Sequence, residues 1–509
     1  MRILKAAMTV GGFTAVSRVF GLIREMMISH FLGASIVTDA FFVAFKFPNL
    51  FRRIFAEGAF NAAFVPLFSH SLVADGSAVA KVMAERVFAC LAFVLIIFVS
   101  LVVFFTPSII HVLAPGFVTT PERFDLAVTY TQITFPYILF ISLTAHLSGV
   151  LNSLDRFASA AGVPILLNVL MIASLLLAPD LGVSYGIALA SSVFISGVVQ
   201  FLWMYYACYR AGFSIQLRLP AFAPEIRQLC RLMGPGIIGA SVMNINIFID
   251  TVLASFLPAK SISFLFYADR LNQFPLSILG IAMGTALLPS LSRQLKAGDY
   301  EKAQQSKKIA IEFAIQLTFP AAAGLMMLSY PIINIIYGLP TQDTIATASA
   351  LTAFAVGVPA YVLSKIFIAS FFARQDTKTP VKIGCLCIGI NLVLNLVMMP
   401  YLAHVGLALA TSIAAWVNVV LLYVRLKTYH WFSFHPQMWR LIFKVSIATI
   451  AMVVMLWVLD TLCANQEGLL VQLMYLIGAI FVGLFTYVGF AFLLNIINLT
   501  QIKQALSRR

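Results

Sequence analysis

Residues 39–66 read DAFFVAFKFPNLFRRIFAEGAFNAAFVP. The run is apolar and aromatic, yet Asp39, Lys46, Arg52, Arg53 and Glu57 interrupt it. Asp39, Lys46 and Arg53 are spaced by seven residues and Glu57 follows Arg53 by four, so on a helix they fall close to one face. A bilayer charges several kcal/mol for an unpaired ion, so this stripe must face protein or a hydrated cavity. Pro48 removes a backbone hydrogen bond in mid-helix and predicts a kink or an unwound turn, the kind of backbone that borders transport sites.

The rest of the chain sets that stripe in a membrane. Of 509 residues, 61% are hydrophobic and 10% charged, against about 25% charged in an average soluble protein. Continuous apolar runs exclude a barrel, whose strands alternate, and leave an all-α polytopic integral membrane protein. Windows of about 20 apolar residues give fourteen transmembrane helices, the first at 8–32 and the last at 470–495. The longest connections fall at 67–84 and 107–126, too short for a soluble domain. The start, MRILKAAMTVGGFTAVSRVFG, imitates a signal peptide, but Arg18 and Arg24 break its apolar region, which reads as an uncleaved first span.

Lysine and arginine crowd alternate loops, while the opposite loops keep only Arg123 and Lys260. By the positive-inside rule both termini are cytoplasmic. The same asymmetry accounts for most of the +14 net charge, so no nucleic-acid partner is needed. Cys90, Cys208, Cys230, Cys385, Cys387 and Cys463 are scattered without disulfide or zinc spacing.

The sequence also repeats itself. Phe31-Leu32 through Phe64-Val-Pro-Leu-Phe-Ser69 parallels Phe256-Leu257 through Leu287-Leu-Pro-Ser-Leu-Ser292, and Phe47-Pro48 is echoed by Phe274-Pro275. Pro136-Tyr137 and Asn168 likewise recur as Pro359-Ala-Tyr361 and Asn391. Copies about 225 residues apart with six spans each, an even number, must be parallel, related by an axis along the membrane normal. The expected layout is an N-terminal lobe at 1–215, a C-terminal lobe at 216–430 and a C-terminal helix pair at 431–509. Such a fold predicts a substrate site between the lobes and alternating access by rocking.

Within it the charges are mainly cationic. In the first span Ser17, Gly21 and Arg24 share a face, with Arg18 and Glu25 on a neighbouring one. Arg24 lies deep and reads as cavity-facing; Arg18, Arg52 and Arg53 either line the cavity or snorkel to the interface. Glu57 reads as bracing Arg53, and Asp39 as gating or orienting the arginines. Asp269 and Arg270 diverge on their helix, which leaves Arg270 to meet the first-copy arginines, while Lys46 and Lys365 divide evenly between snorkelling and cavity. Arginine forks bind phosphate oxygens bidentately, so a cationic site suits a diphosphate. Asp250, Asn391, Asn395 and Thr411 could hold Na⁺ or equally form interhelical hydrogen bonds. Enzyme signals are poor: Gly234, Gly236 and Gly239 match GxGxxG with no strand before them, and neither a Walker A motif nor HExxH is present.

DAFFVAFKFPNLFRRIFAEGAFNAAFVP resembles the signature of the MurJ (MviN) family of lipid II flippases, and FYADRLNQFPLSILGIAMGTALLPSLS and RQDTKTPVK resemble its second-lobe and loop motifs. Asn61, where a serine is common, departs from the pattern outside the charged positions. The resemblance implies a fold of the multidrug/oligosaccharidyl-lipid/polysaccharide exporter superfamily, a bacterial inner-membrane location and export of lipid-linked peptidoglycan precursor. Lipid II and the bilayer are the partners it implies, while the residues themselves point to no enzymatic activity and no cofactor beyond Na⁺ or counter-ion coupling. The positions matching the family's essential charges are Arg18, Arg24, Asp39, Arg52, Arg53 and Arg270. The alternative is a multidrug exporter, or an exporter of another polyprenyl-diphosphate-linked oligosaccharide, from the same superfamily; a cationic cavity speaks against a carrier of organic cations.

Overall fold

The computed structural model describes residues 2–52, 60–216, 218–220, 223–463 and 468–496, and the side chains of these except at 2–7, 235–243 and 277–286. The described residues are helical and contain no strand. They form two compact units, Met1–Ser263 and Phe264–Arg509.

The first unit runs through α1 (Arg2–Leu32), α2 (Ile36–Phe51), α3 (Phe60–Ala74), α4 (Gly76–Phe104) and α5 (Thr106–Leu113). A 3₁₀ turn (Pro115–Thr119) leads into α6 (Pro121–Thr134), followed by α7 (Tyr137–Ser153), α8 (Ala158–Leu177), α9 (Tyr185–Arg210) and α10 (Pro224–Ser255). α1 lies along α8, α7 and α8 pack on α9, and α2 is held against α6. Phe41, Phe42, Phe64, Phe68 and Phe135 are fully buried here. Gly234, Gly236 and Gly239 all fall inside α10, which leaves no strand before them for a nucleotide-binding turn.

Pro48 sits inside α2 and is buried. Having no N–H, it leaves the carbonyl of Ala44 without its helical donor, and the hydroxyl of Thr134 on α6 lies 3.3 Å from that oxygen. The break is thus repaired from the neighbouring helix.

α11 (Ser261–Lys296) begins in the first unit and continues into the second, which adds α12 (Tyr300–Met327), α13 (Ser329–Tyr337), α14 (Thr341–Ala355), α15 (Val358–Phe372), α16 (Lys378–Thr428), α17 (Pro436–Leu462) and α18 (Leu469–Leu493). α14 and α15 pack on α16, α12 on α15 and α17, and α17 on α18. Leu291, Ile311, Ile315, Ile366, Phe367 and Leu422 build one core of this unit. Met452, Leu456, Leu476 and Ala479 build another under the final helix pair.

Nine helical segments among the described residues are long and apolar enough to cross a membrane. α16 has 51 residues. At 1.5 Å per residue it would extend roughly 75 Å, over twice a hydrocarbon core of about 30 Å. It is two helices joined at Ala403, whose φ of 46° and ψ of −128° interrupt it just after Pro400. At this reversal only glycine fits at 406, because a Cβ there would lie 2.8 Å from the Met398 carbonyl oxygen. On their outer faces α4 exposes Phe93, Ile96, Ile97 and Leu101, and α18 exposes Met474, Phe481 and Phe485. Apolar faces of that extent belong against lipid.

Backbone breaks recur along the chain in the spacing of the sequence repeat. α4 gives way to short α5 at Phe105 as α12 gives way to short α13 at Leu328, and α6/α7 breaks at Phe135–Pro136 as α14/α15 breaks at Val356–Gly357. Two expectations need correcting. The stretches 67–84 and 107–126 are not open loops: α3 reaches Ala74, α4 starts at Gly76, and α5, the 3₁₀ turn and α6 fill the other. Hydropathy windows find spans and pass over shorter or more polar helices that end at the surface.

Candidate functional site

Two charge clusters lie inside the first unit, each assembled from residues distant in sequence. The first starts where Ser35, extended at φ −151°, caps α2 by accepting from the Thr38 N–H. One turn in, Asp39 is wholly buried. Its Oδ2 accepts from Arg123 Nη2 at 2.7 Å and from the Lys260 N–H at 2.8 Å. Its Oδ1 accepts from the Ser263 N–H at 2.8 Å and the Ser263 hydroxyl at 2.6 Å. Ser263 lies in the first turn of α11, so the carboxylate caps that helix where the dipole and the orphan N–H groups favour an anion.

Arg123 is fixed from three sides. Besides Asp39, its Nη1 donates to the Leu257 carbonyl at 3.3 Å, and its guanidinium stacks 4.0 Å from the centre of the Phe117 ring. Beside it, the Gly116 N–H donates to Ser255 Oγ at 3.0 Å. A Cβ at Gly116 would come within 2.3 Å of the Ser255 carbonyl oxygen, so only glycine allows this approach. Segment 255–263 is therefore clamped by α2, the 3₁₀ turn and α6.

The second cluster lies between α1 and α8. Arg24, only 7% exposed, bonds to Glu25 through Nη2 and to Asn168 Oδ1 through Nη1 at 2.9 Å. Asn168 is itself oriented by Nδ2 donating to the Ser17 carbonyl at 3.1 Å. The expected Ser17–Gly21–Arg24 face is thus the face that packs on α8. Arg18 and Ser17 are half-buried further up α1.

On α2, Lys46 is half-buried, and Arg52 donates from Nε to Asn49 Oδ1 at 3.2 Å. Arg53 and Glu57 lie outside the described residues. Asp269 and Arg270 lie in the second unit. Asp269 accepts from Gln273 Nε2 at 2.5 Å, while the Arg270 guanidinium lies 4.7 Å from the Phe266 ring centre. Lys365 is exposed on its unit's surface. Asn395 Nδ2 donates to Asn391 Oδ1 at 3.0 Å, and Asn391 Nδ2 lies 3.4 Å from Thr411 Oγ1. In the first unit Asp250 accepts from Asn246 at 3.0 Å. No group of three or more His, Cys, Asp or Glu side chains is placed to hold a metal ion among the described residues.

Several polar anchors escaped the sequence reading. Glu85, nearly fully buried on α4, accepts from Arg218 Nε at 2.5 Å and from the Gln216 N–H at 3.1 Å, which ties the connection between α9 and α10 to α4. Lys307, also buried, donates to the Trp431 carbonyl, and Arg374 stacks on the Trp431 ring at 4.6 Å. Asn168 was visible only as a repeat marker. Arg123 was visible only as the one lysine or arginine of its loop, between Glu122 and Asp125, and nothing local named Asp39 as its partner.

A family described as "Lipid II flippase MurJ" matches residues 28–478. The "Probable lipid II flippase MurJ" of Rickettsia prowazekii (strain Madrid E) is 37% identical over 504 residues, 98% of this chain and 99% of that one. The protein of the same description from Rhizobium tropici is 42% identical over 433 residues, 84% of this chain and 81% of its own. Among solved structures, "Lipid II flippase MurJ, inward closed conformation" superposes with a TM-score of 0.80 at 26% identity, covering 95% of this chain and 97% of that one. An inward-facing multidrug resistance MATE transporter of the MOP superfamily shares the fold, with a TM-score of 0.66 at 16% identity over 82% of this chain and 96% of its own.

Proposed function

The chain belongs to the MurJ family of lipid II flippases, and from that premise we propose how its residues carry lipid II across the bilayer. It is a multi-pass helical protein of the bacterial inner membrane that moves lipid II by alternating access. In our reading about fourteen spans form two parallel lobes of about six, with a C-terminal pair beside them, and both termini face the cytoplasm. The recurring breaks at Phe105 and Leu328, and at Pro136 and Gly357, support the repeat.

The diphosphate is captured by Arg18, Arg24, Arg52, Arg53 and Arg270, and the isoprenoid tail stays in lipid along the C-terminal pair. The observation that carries this is Arg24: an arginine 7% exposed among apolar helices, already oriented by Glu25 and Asn168. A charged group this deep in a membrane helix points to a substrate path. Asp39 serves the gate instead, since every oxygen of its carboxylate is engaged by Arg123, Lys260 or Ser263. No covalent step is required of the protein. Asn391, Asn395 and Thr411 form an amide–hydroxyl set suited to Na⁺ as coupling ion.

The test is translocation of lipid II by Arg24→Ala and Arg270→Ala variants shown to reach the membrane. Loss of translocation in both is expected. Normal translocation would sink the assignment of these arginines.

A further inference from the structure

The two sequence copies place an acid and an asparagine in matching positions: Glu25 and Asn168 in the first correspond to Asp250 and Asn391 in the second, about 225 residues on. The residue before the acid differs. It is Arg24 in the first copy and Ile249 in the second. The first copy therefore supplies its own cation to the acid–amide pair, on the chain.

That cation is held in one orientation. Glu25 takes Nη2 and Asn168 Oδ1 takes Nη1 at 2.9 Å, so both ends of the guanidinium fork are engaged. The Asn168 amide cannot turn its nitrogen to the arginine without losing its bond to the Ser17 carbonyl at 3.1 Å. Gly21 passes beside the same amide, where a Cβ would sit 3.8 Å from Asn168 Nδ2. Met171 Sδ, 3.9 Å from Nη1, and the Phe45 ring, centred 5.9 Å from the guanidinium carbon, are soft neighbours that add no competing charge. One donor of this buried group is left over. Arg24 Nε has no hydrogen-bond partner among the described residues, and a buried N–H without an acceptor is destabilising.

We propose that Glu25 and Asn168 are positioning residues for translocation, holding the Arg24 guanidinium so that its Nε edge is presented to an anionic oxygen of the substrate. The proposal rests on the reading that Arg24 serves the diphosphate. It explains why a carboxylate adjacent to an essential arginine does not cancel it: Glu25 neutralises the end of the fork that the substrate does not use. An arginine released from the pair would reach the same anion in many rotamers, at a cost in side-chain entropy.

The test measures lipid II translocation against lipid II concentration in vesicles, with membrane level and thermal stability recorded for each variant. Glu25→Gln keeps the shape and removes the charge; Glu25→Asp keeps the charge and changes the shape. Positioning through charge predicts that Glu25→Gln raises the half-saturating lipid II concentration about tenfold, the worth of one charge-assisted hydrogen bond, while Glu25→Asp stays within about threefold. Asn168→Leu should resemble Glu25→Gln. A packing role predicts the reverse order, and finding Glu25→Gln as active as or more active than Glu25→Asp overturns the proposal. So does normal transport by Glu25→Gln and Asn168→Leu when Arg24→Ala is inactive. Normal transport by Arg24→Ala overturns the diphosphate reading beneath it. The comparison of Gln with Asp at position 25 stands even if Asn168→Leu fails to fold.

Discussion

Replacing Asp39 by asparagine tests the gate at its centre. The carboxylate accepts four hydrogen bonds, from Arg123 Nη2, Lys260 N–H, Ser263 N–H and Ser263 Oγ. The carboxamide keeps an acceptor for Ser263 but turns an NH₂ group towards Arg123 and the Lys260 N–H, donor against donor. Arg123 is 3% exposed, and stripping a buried charge of its partner costs about 3–5 kcal/mol. At 1.4 kcal/mol per tenfold, even about 3 kcal/mol moves the clamped arrangement towards its open alternative by over a hundredfold. Leu257, 7% exposed, can report this as Leu257→Cys in a chain whose six native cysteines have been replaced. Asp39→Asn should raise labelling by a membrane-impermeant maleimide by about a hundredfold, with translocation falling in step. If translocation is lost while labelling stays unchanged, Asp39 acts on the substrate and the gate reasoning is wrong.

Thr134→Val should cost about 1 kcal/mol by leaving the Ala44 carbonyl without a donor, and adding Pro48→Ala should recover it by restoring the helical N–H; thermal unfolding in detergent decides, and a double variant no more stable than Thr134→Val refutes the repair. Glu85→Ala should release the connection around Gln216, speeding hydrogen exchange at the Gln216 amide by about tenfold or more; unchanged protection would mean that the bond to Glu85 does not hold this segment. For the amide–hydroxyl set, Asn391→Leu should abolish any Na⁺ dependence of translocation, whereas an unaltered Na⁺ response would move the ion elsewhere.

The membrane class, the repeat and the cationic character of the site are legible in the sequence because each rests on local or periodic signals. Charge depletion, apolar windows and the paired motifs at Phe47-Pro48 and Phe274-Pro275 need no tertiary knowledge. The partners of the charges are a different matter. Asp39 finds Arg123 across 84 residues and Ser263 across 224, and Arg24 finds Asn168 across 144. Helical geometry also misled in detail. The seven-residue spacing puts Asp39 and Lys46 near one face, yet Asp39 is sealed by the start of α11 while Lys46 is only half-buried. In α1 the two-turn spacing of Arg18 and Glu25 gives no sign that Glu25 pairs with its neighbour Arg24. Long side chains at adjacent positions can still meet when a third residue, Asn168, gathers one of them.

The central claim is that this chain exposes lipid II on the outer face of the membrane. Its most direct measurement is the fraction of lipid II open to a membrane-impermeant enzyme that cleaves the headgroup, in cells depleted of other flippases and supplied with this protein. The fraction should be high with the unmodified chain and fall to the depleted level with Arg24→Ala. Equal fractions with and without the protein, at verified membrane expression, would contradict it.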